Sequence, residues 1–468
     1  MPPRPALIAA LGPGVIWLAL AQGSGELIWW PYIIAKYGLG FLCLLIPACL
    51  LQWPLNVEIG RYTLLTGESI WQGFVRLHRG FALCLWLLMA LSFLWFGGFA
   101  SAGGEAMAAL THFPSNLSEG GRKLFWGYAS VAVSFGALLF SRTAYVLIAR
   151  VMTVIASVTV LGLLLACLNA QVRAASPSFF SGLFMPAWPE HRVWQSQDAT
   201  QLLTAVSFAG LGGFWTLFYS SWLREKRAGM AAFMGRVTSP ITGRAEYIED
   251  AGFVPAAEPG LQKTWRGWLR FLWADAGVGV VGNLVTTLAT CLLAYALLFP
   301  QGKIPSATTL VTHQSEFFAA TWGDVGRAVF LVVAAAFLAD TWLATVDAVA
   351  RTHTEMVRAF VPRVARSLSY RNTYYAWVVV LTAITCATMA YQSPSTLILT
   401  SAVIGFLGTV SYTTALLFLN YRLLPRLVPE AAAPARSGAL LLGAVCSIYA
   451  GLAALYLYEV GKGLVASY

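Results

Sequence analysis

The chain has 468 residues, of which 58% are hydrophobic and only 11% are charged, and its mean hydropathy is +0.68. Soluble domains contain about 25% charged residues. The composition therefore excludes an ordinary soluble enzyme and a disordered protein, and it indicates a polytopic membrane protein. The net charge of +10 is more typical of basic loops beside a membrane than of a protein that binds nucleic acid.

Apolar runs of about 20 residues, the length that spans a bilayer, recur along the chain. They predict an all-α membrane protein with about eleven transmembrane helices in one domain, 1–468. The predicted spans are 6–36, 40–65, 81–112, 122–141, 143–169, 199–228, 269–299, 318–352, 371–391, 396–423 and 436–461. Residues 1–169 form the predicted first repeat, 199–423 the second repeat and 436–461 an extra helix.

Lysine and arginine residues predict the orientation of the chain. They concentrate in the connection 229–268 and between Arg351 and Arg371, which fall on the same predicted side of the membrane. Because cytoplasmic loops carry an excess of basic residues, we expect a cytoplasmic N-terminus and an external C-terminus. The connection 229–268 is then a cytoplasmic loop, and the expected location is the plasma (inner) membrane.

Glycine clusters interrupt the first and sixth spans, and aromatic residues follow both. Two breaks five spans apart are typical of two inverted five-helix repeats with broken first helices. An unwound backbone persists in a membrane only when it is buried or faces a cavity, so we expect the substrate to bind between the two breaks. The predicted binding residues are Gly23, Ser24, Gly25 and Glu26 in the first span, and Gly210, Gly212, Gly213, Phe214 and Trp215 in the sixth.

Acidic residues within predicted spans are candidates for a function, because inserting a carboxylate at mid-span costs at least about 2.5–3.5 kcal/mol of free energy. Glu26 is predicted to bind a cation or a proton, and the alternative is a cap on the following half-helix. Glu105 and Asp340 are further candidates for proton coupling, although Glu105 would also suit the external end of its span.

Two other acidic residues are predicted to form structural ion pairs with neighbours on the same helix face. Glu58 precedes Arg61 by three residues, and Asp347 precedes Arg351 by four. The sequence has no nucleophile elbow, HExxH motif or Walker-A motif. It therefore predicts a transporter rather than an enzyme, with no cofactor.

Several short motifs resemble the natural resistance-associated macrophage protein (Nramp) family of proton-coupled divalent-metal transporters. They are Leu11-Gly12-Pro13-Gly14, Tyr37-Gly38, Thr66-Gly67, Tyr219-Ser220-Ser221 and Asn283. The resemblance implies a leucine-transporter-like fold with broken helices 1 and 6. It also implies transport of a metal ion, with protons as the possible co-ion.

The chain departs from this family at the residues that bind metal. The family's Asp-Pro-Gly-Asn motif is replaced by residues 23–26, Gly-Ser-Gly-Glu, and its methionine ligand aligns with Gly212. Since a thioether suits softer transition metals, its loss points to a hard divalent cation such as magnesium or manganese. Glu26 would be the main ligand, with Ser24, backbone carbonyls and Asn283 completing an oxygen shell.

The same glycine-rich breaks also resemble those of amino acid–polyamine–organocation transporters. In that group the free N–H groups of the break bind a substrate carboxylate. The sequence therefore leaves two substrate classes open, a metal cation or an amino acid or other small carboxylate. In either case the expected partners are a small ion or molecule and the lipid bilayer, and the sequence predicts no oligomeric state.

Overall fold

The computed structural model describes residues 1–3, 12–22, 29–185, 194, 196–207, 209–304, 313–391 and 394–466. Within these ranges every regular element is a helix, and one isolated bridge pairs Thr143 with Thr238. The α-helices are α1 (Pro13–Ala21), α2 (Trp29–Tyr37), α3 (Leu45–Thr66), α4 (Ile70–Leu77), α5 (Arg79–Phe93), α6 (Gly97–Thr111), α7 (Glu119–Phe140), α8 (Ala144–Ala166), α9 (Ala170–Gly182), α10 (Ser196–Ser207), α11 (Phe218–Glu225), α12 (Leu261–Leu293), α13 (Glu316–Phe360), α14 (Pro362–Ser367), α15 (Tyr370–Tyr391), α16 (Pro394–Phe418), α17 (Leu424–Leu427) and α18 (Arg436–Ala466).

The predicted eleven-span plan is confirmed. Nine helical segments of the described chain are long and apolar enough to cross a membrane, and they correspond to predicted spans 2–5 and 7–11. The first and sixth spans instead contain two short helices each, α1 with α2 and α10 with α11. The chain is thus an integral multi-pass membrane protein with two broken helices.

Two spans differ in length from their predicted bounds. Helix α12 begins at Leu261, eight residues before the predicted span, so a basic stretch of the predicted loop is helical. Helix α13 is 45 residues long and kinks at Gly323, where φ is 58°. Glycine adopts this left-handed conformation without strain, which lets a long span change direction.

Helices α1 and α12 pack in parallel at unusually short range. A Cβ atom at Gly14 would lie 1.9 Å from the Asp275 carbonyl oxygen, and one at Gly279 would lie 2.7 Å from the Trp17 ring. Small residues permit such close backbone approach in membranes. The motif Gly12-Pro13-Gly14 therefore fixes the first half-helix against the seventh span.

The connection 226–260, hereafter the long loop, crosses one end of the bundle in an ordered conformation. Its Phe253 N–H donates to the Thr66 carbonyl at 2.8 Å. Arg358 at the end of α13 binds Asp250 through two bonds of 2.7 and 2.8 Å. The Ser239 N–H donates to the Arg142 carbonyl, between α7 and α8. The long loop thus ties the ends of several spans together.

Glu68 fastens the long loop to the end of α3. Its carboxylate accepts from Tyr62 Oη at 2.6 Å, from Arg76 Nε at 2.8 Å and from the Gly252 N–H at 2.9 Å. Burial alone would raise the pKa of this carboxyl, but the hydrogen bonds from Arg76, Tyr62 and Gly252 outweigh burial and lower the pKa below its ordinary value. A depressed pKa means that the charged form stabilises the folded loop.

We expect this contact to depend on pH. It is fully present above the ordinary glutamate pKa of about 4.3 and is lost as the pH falls through the lower folded-state pKa. At neutral pH, Glu68→Gln should speed hydrogen exchange at the Gly252 and Phe253 amides, whereas Glu258→Gln, at an exposed position, should not. Equal exchange in Glu68→Gln and wild type at pH 7 would contradict this role.

Candidate functional site

The sixth span is unwound in the interior of the bundle. Helix α10 ends at Ser207, a 3-10 turn covers Gly213–Leu217, and α11 begins at Phe218. Gly210, Gly212 and Gly213 have φ values of 124°, 61° and 52°, a region that side chains make costly. Every residue from 209 to 218 is buried. Backbone polar groups outside a regular helix therefore lie where lipid cannot solvate them.

Side chains from the first, second and eleventh spans converge on this break. A Cβ atom at Gly210 would lie 2.6 Å from Gln52 Cγ and 3.2 Å from the Trp17 ring. Gln52 Nε2 donates to Tyr449 Oη at 2.7 Å, and Thr216 Oγ1 donates to Gln52 Oε1 at 3.3 Å. This neutral cluster holds the Gln52 amide in one orientation beside the unwound segment.

Sequence reasoning missed the Gln52 cluster. The available signal was an isolated glutamine in an otherwise apolar part of the second span, Leu50-Leu51-Gln52-Trp53. Its partners Tyr449 and Thr216 lie far away in sequence, so no local spacing connects them. Only the packing of four spans reveals the cluster.

Two buried polar side chains mark the ends of the half-helices. Gln22 follows α1 and Ser207 ends α10, and each is only 3% exposed. Within the described part of the chain, the Gln22 amide and the Ser207 hydroxyl have no hydrogen-bond partner. A buried polar group left unsatisfied costs about 1–3 kcal/mol, so these groups suit a polar ligand. The C-terminal ends of α1 and α10 also carry partial negative charge, which favours a cation.

Asn283 lies near the same level of the bundle. Along the parallel helices, Gly279 is opposite Trp17 and Gly282 is opposite Leu18. Asn283 is the next residue of α12 and is fully buried. This register places it within about one helical turn of Gln22 along the bundle axis.

The aromatic residues after the break point toward other helices. Phe214 stacks on Trp71 with ring centroids 6.2 Å apart and packs on Gly408 of α16. Trp215 Nε1 donates to Thr345 Oγ1 at 3.1 Å, and its ring lies 4.6 Å from the Phe93 ring. Their packing partners therefore belong to α4, α5, α13 and α16.

The backbone at the break is held by its own contacts. A Cβ atom at Gly213 would lie 3.1 Å from Gly405 of α16, and Tyr412 Oη donates to the Gly213 carbonyl at 2.9 Å. The absence of a side chain at Gly213 thus allows both the close approach of α16 and the turn. Contact of Gly210, Gly212, Gly213, Phe214 and Trp215 with substrate stays a prediction.

Residues Gly23, Ser24, Gly25 and Glu26, the predicted first break, lie outside the described residues. In the ranges that the structure does describe, no group of three or more His, Cys, Asp or Glu side chains is arranged to hold a metal.

The two other predicted coupling residues occupy different places. Asp340 lies mid-way along α13, is 4% exposed, and one of its carboxylate oxygens has no partner within the described chain. Glu105 lies about 9 Å from the end of α6 and interacts with the charges of Lys123 and Glu119 on α7. Asp340 is thus the more deeply placed of the two.

The predicted ion pairs are confirmed. Arg61 binds Glu58 through bonds of 2.9 and 3.0 Å, and Arg351 binds Asp347 through bonds of 2.9 and 3.1 Å. The second pair belongs to a larger buried set, which we name the charge network. Its members are Arg224, Glu225, Asp347, Arg351 and Glu355.

The charge network joins α11 to α13 beneath the long loop. Arg351 also binds Glu225, and Arg224 binds Glu355. Tyr374 Oη donates to Asp347, and Ser69 and Tyr370 donate to Glu355. Helix α11, the second half of the sixth span, is therefore fixed by buried, charge-assisted bonds.

Asp275 has a specific role that spacing did not reveal. Its carboxylate accepts from the Gly12 N–H at 3.1 Å, the Gly14 N–H at 2.8 Å and Tyr219 Oη at 2.8 Å. The fully buried carboxylate thus caps the positive N-terminal end of α1 and links it to α11. Both broken spans are anchored to α12 at one residue.

The whole chain is similar to solved transporter structures. It superposes on a manganese transporter from Eremococcus coleocola in complex with an aromatic bis-isothiourea substituted compound, with a TM-score of 0.67 and 15% identity, covering 98% of this chain and 87% of that one. It is also similar to Mhp1, a nucleobase-cation-symport-1 family transporter, with a TM-score of 0.57 and 12% identity over 98% and 93% of the two chains.

A third similar structure is MhsT in complex with L-phenylalanine, with a TM-score of 0.54 and 14% identity over 96% and 98% of the chains. No family model and no curated protein matches the chain. At these identities the likeness shows the fold, which is the leucine-transporter fold predicted from the sequence.

Proposed function

We propose that the protein is a secondary active transporter whose substrate binds between the breaks of the first and sixth spans. The observation that carries this proposal is the unwound, buried segment 209–213, which follows the unsatisfied Ser207 hydroxyl, together with the unsatisfied Gln22 amide at the end of α1. A scaffold has no use for such costly groups in its interior. The transporters that share this fold support the same interpretation.

The substrate that we propose is a hard divalent cation, magnesium or manganese. The negative ends of α1 and α10 face the break, and Glu26 follows α1 by five residues. Gln22, Ser207 and Asn283 would add amide and hydroxyl oxygens. Such an oxygen-only set suits magnesium, calcium or manganese. The Nramp-like motifs and the likeness to a manganese transporter agree with this choice.

In this proposal the resemblance to the Nramp family reflects a distant evolutionary relationship. The coupling ion is the proton. Asp340 is our first candidate for the proton site because it is buried mid-span with no charged partner among the described residues. Glu26 and Glu105 are the others. The long loop and the basic start of α12 face the cytoplasm, so that the N-terminus is inside and the C-terminus outside the plasma (inner) membrane.

A second candidate substrate is an amino acid or another small organic carboxylate. The specific observation in its favour is the neutral surroundings of the break, where Trp17, Gln52 and Thr216 lie close to Gly210. An aromatic wall and backbone N–H groups outside a regular helix would suit an organic carboxylate. The likeness to MhsT, solved with L-phenylalanine, agrees with this alternative.

Uptake into proteoliposomes should separate the two substrates. We expect wild type to take up manganese and magnesium. In Glu26→Gln the uptake should fall at least about tenfold, which corresponds to about 1.4 kcal/mol of binding free energy. Glu258→Gln, an exposed glutamate of the long loop, is the matched control. Unchanged metal uptake in Glu26→Gln would remove the ligand assignment. Uptake of amino acids without metal uptake would establish the second candidate.

A further inference from the structure

A groove on the outer surface of the bundle lies between α3 and α12, away from the breaks. Its volume is about 490 Å³, and its walls are mainly apolar. The lining residues are Trp53, Arg266, Leu269, Arg270, Trp273 and Ala274. We propose that this groove binds an anionic phospholipid, with the phosphate on the two arginines and an acyl chain along the apolar wall.

The two arginines form a cationic pair without protein partners. Arg266 and Arg270 are four residues apart on α12 and therefore share a helix face, and both are exposed. Within the described part of the chain neither forms an ion pair or a hydrogen bond. The nearby Asp275 is buried and is occupied by Gly12, Gly14 and Tyr219. The Asp275 carboxylate on the same helix is therefore not a partner of either arginine.

The groove lies at the level of the lipid headgroups. After Asp275, α12 and its continuation to Gln301 carry no charged residue, a length of about 40 Å at the helical rise. This exceeds the hydrocarbon thickness of about 30 Å, so Arg266 and Arg270 fall at the polar edge. The Arg61 guanidinium lies 6.0 Å from the Trp265 ring, which places Arg266 level with the buried Glu58–Arg61 pair.

Two tryptophans build the apolar wall of the groove. Trp53 Nε1 donates to the Trp273 carbonyl at 3.0 Å, and the two rings are 6.0 Å apart. Trp53 also packs against Gly277, where a Cβ atom would lie 2.6 Å from its ring. This hydrogen bond fixes the wall between the helices, and Leu269 and Ala274 extend it. Tryptophan is typical of the membrane interface.

The choice of a phospholipid follows from this combination of charge and apolar area. Arginine binds phosphate through a planar, bidentate fork, and basic pockets between membrane helices bind anionic headgroups. A free phosphate would use the arginines alone and leave the apolar wall uncovered. A zwitterionic lipid would gain little from two uncompensated cations. An anionic phospholipid is matched to both parts of the groove.

Native mass spectrometry of the purified full chain tests this site. With phosphatidylglycerol added, wild type should retain at least one lipid, and Arg266→Gln/Arg270→Gln should bind it roughly 30-fold more weakly, since each basic residue near an anionic surface contributes about fivefold. Arg363→Gln/Arg366→Gln removes the same charge from exposed positions on α14 and should retain lipid as wild type does.

Four results would overturn the proposal. The first is equal retention of phosphatidylglycerol by wild type and the Arg266/Arg270 variant. The second is an equal loss in the Arg363/Arg366 control, which would indicate a general effect of charge. The third is retention of phosphatidylcholine by wild type equal to its retention of phosphatidylglycerol. The fourth is thermal stabilisation of wild type by inorganic phosphate alone equal to that by phosphatidylglycerol. Lipid retention is measured without a transport assay. A failure of the lipid site can therefore be distinguished from a failure of the proposed transport function.

Discussion

Replacing Arg351 with methionine is expected to lower the free energy of unfolding by about 3–5 kcal/mol, because it leaves buried carboxylates without their cation. Arg351 binds Asp347 and Glu225, and the side chains of all three residues are no more than 5% exposed. Chemical denaturation in detergent micelles measures the change. Arg363→Met, on the exposed helix α14, should have almost no effect.

The combined variant Arg351→Met/Asp347→Asn/Glu225→Gln distinguishes a charge effect from lost packing. It removes the cation and both of its anions together, so no uncompensated charge remains in the interior. We expect it to recover most of the stability lost in Arg351→Met alone. A triple variant as unstable as the single variant would show that the charge network does not act through its ion pairs.

Replacing Asp275 with alanine is expected to loosen α1 from α12. The change leaves the Gly12 and Gly14 N–H groups and the Tyr219 hydroxyl without their acceptor. Two of these groups belong to the start of α1. At about 1–3 kcal/mol for each unsatisfied group, packing of α1 against α12 should become less favourable by at least about 2 kcal/mol, which corresponds to a change of roughly thirtyfold in population.

A buried thiol on α1 would report this loosening. Ile16 is fully buried, so an Ile16→Cys variant without the seven natural cysteines should react slowly with a water-soluble maleimide. Adding Asp275→Ala should speed labelling at least tenfold, whereas Asp324→Ala, an exposed residue of α13, should not change it. Equal labelling with and without Asp275 would contradict the anchoring role.

The number and order of the spans were predictable from sequence because membranes impose a length of about 20 apolar residues. The breaks were predictable because glycine clusters weaken two apolar spans at corresponding places, as the short helices α1, α2, α10 and α11 bear out. The Arg351–Asp347 pair was predictable because residues four apart share one face of a helix.

Contacts between distant segments were not predictable. Gln52 meets Tyr449 across 397 residues, and Asp275 meets Gly14 across 261. Their partners follow from the packing of helices, which no local spacing encodes. The long loop illustrates the same limit. Nothing in its own sequence identifies Glu68 and Thr66 as the residues that hold its backbone in place.

Concentrative uptake by wild-type proteoliposomes tests the central claim most directly. With protons supplied at higher concentration outside, we expect manganese to accumulate inside above its external concentration. We also expect that collapsing the proton gradient with an uncoupler abolishes the accumulation. Equilibration of manganese without accumulation, unaffected by the uncoupler, would contradict secondary active transport coupled to protons.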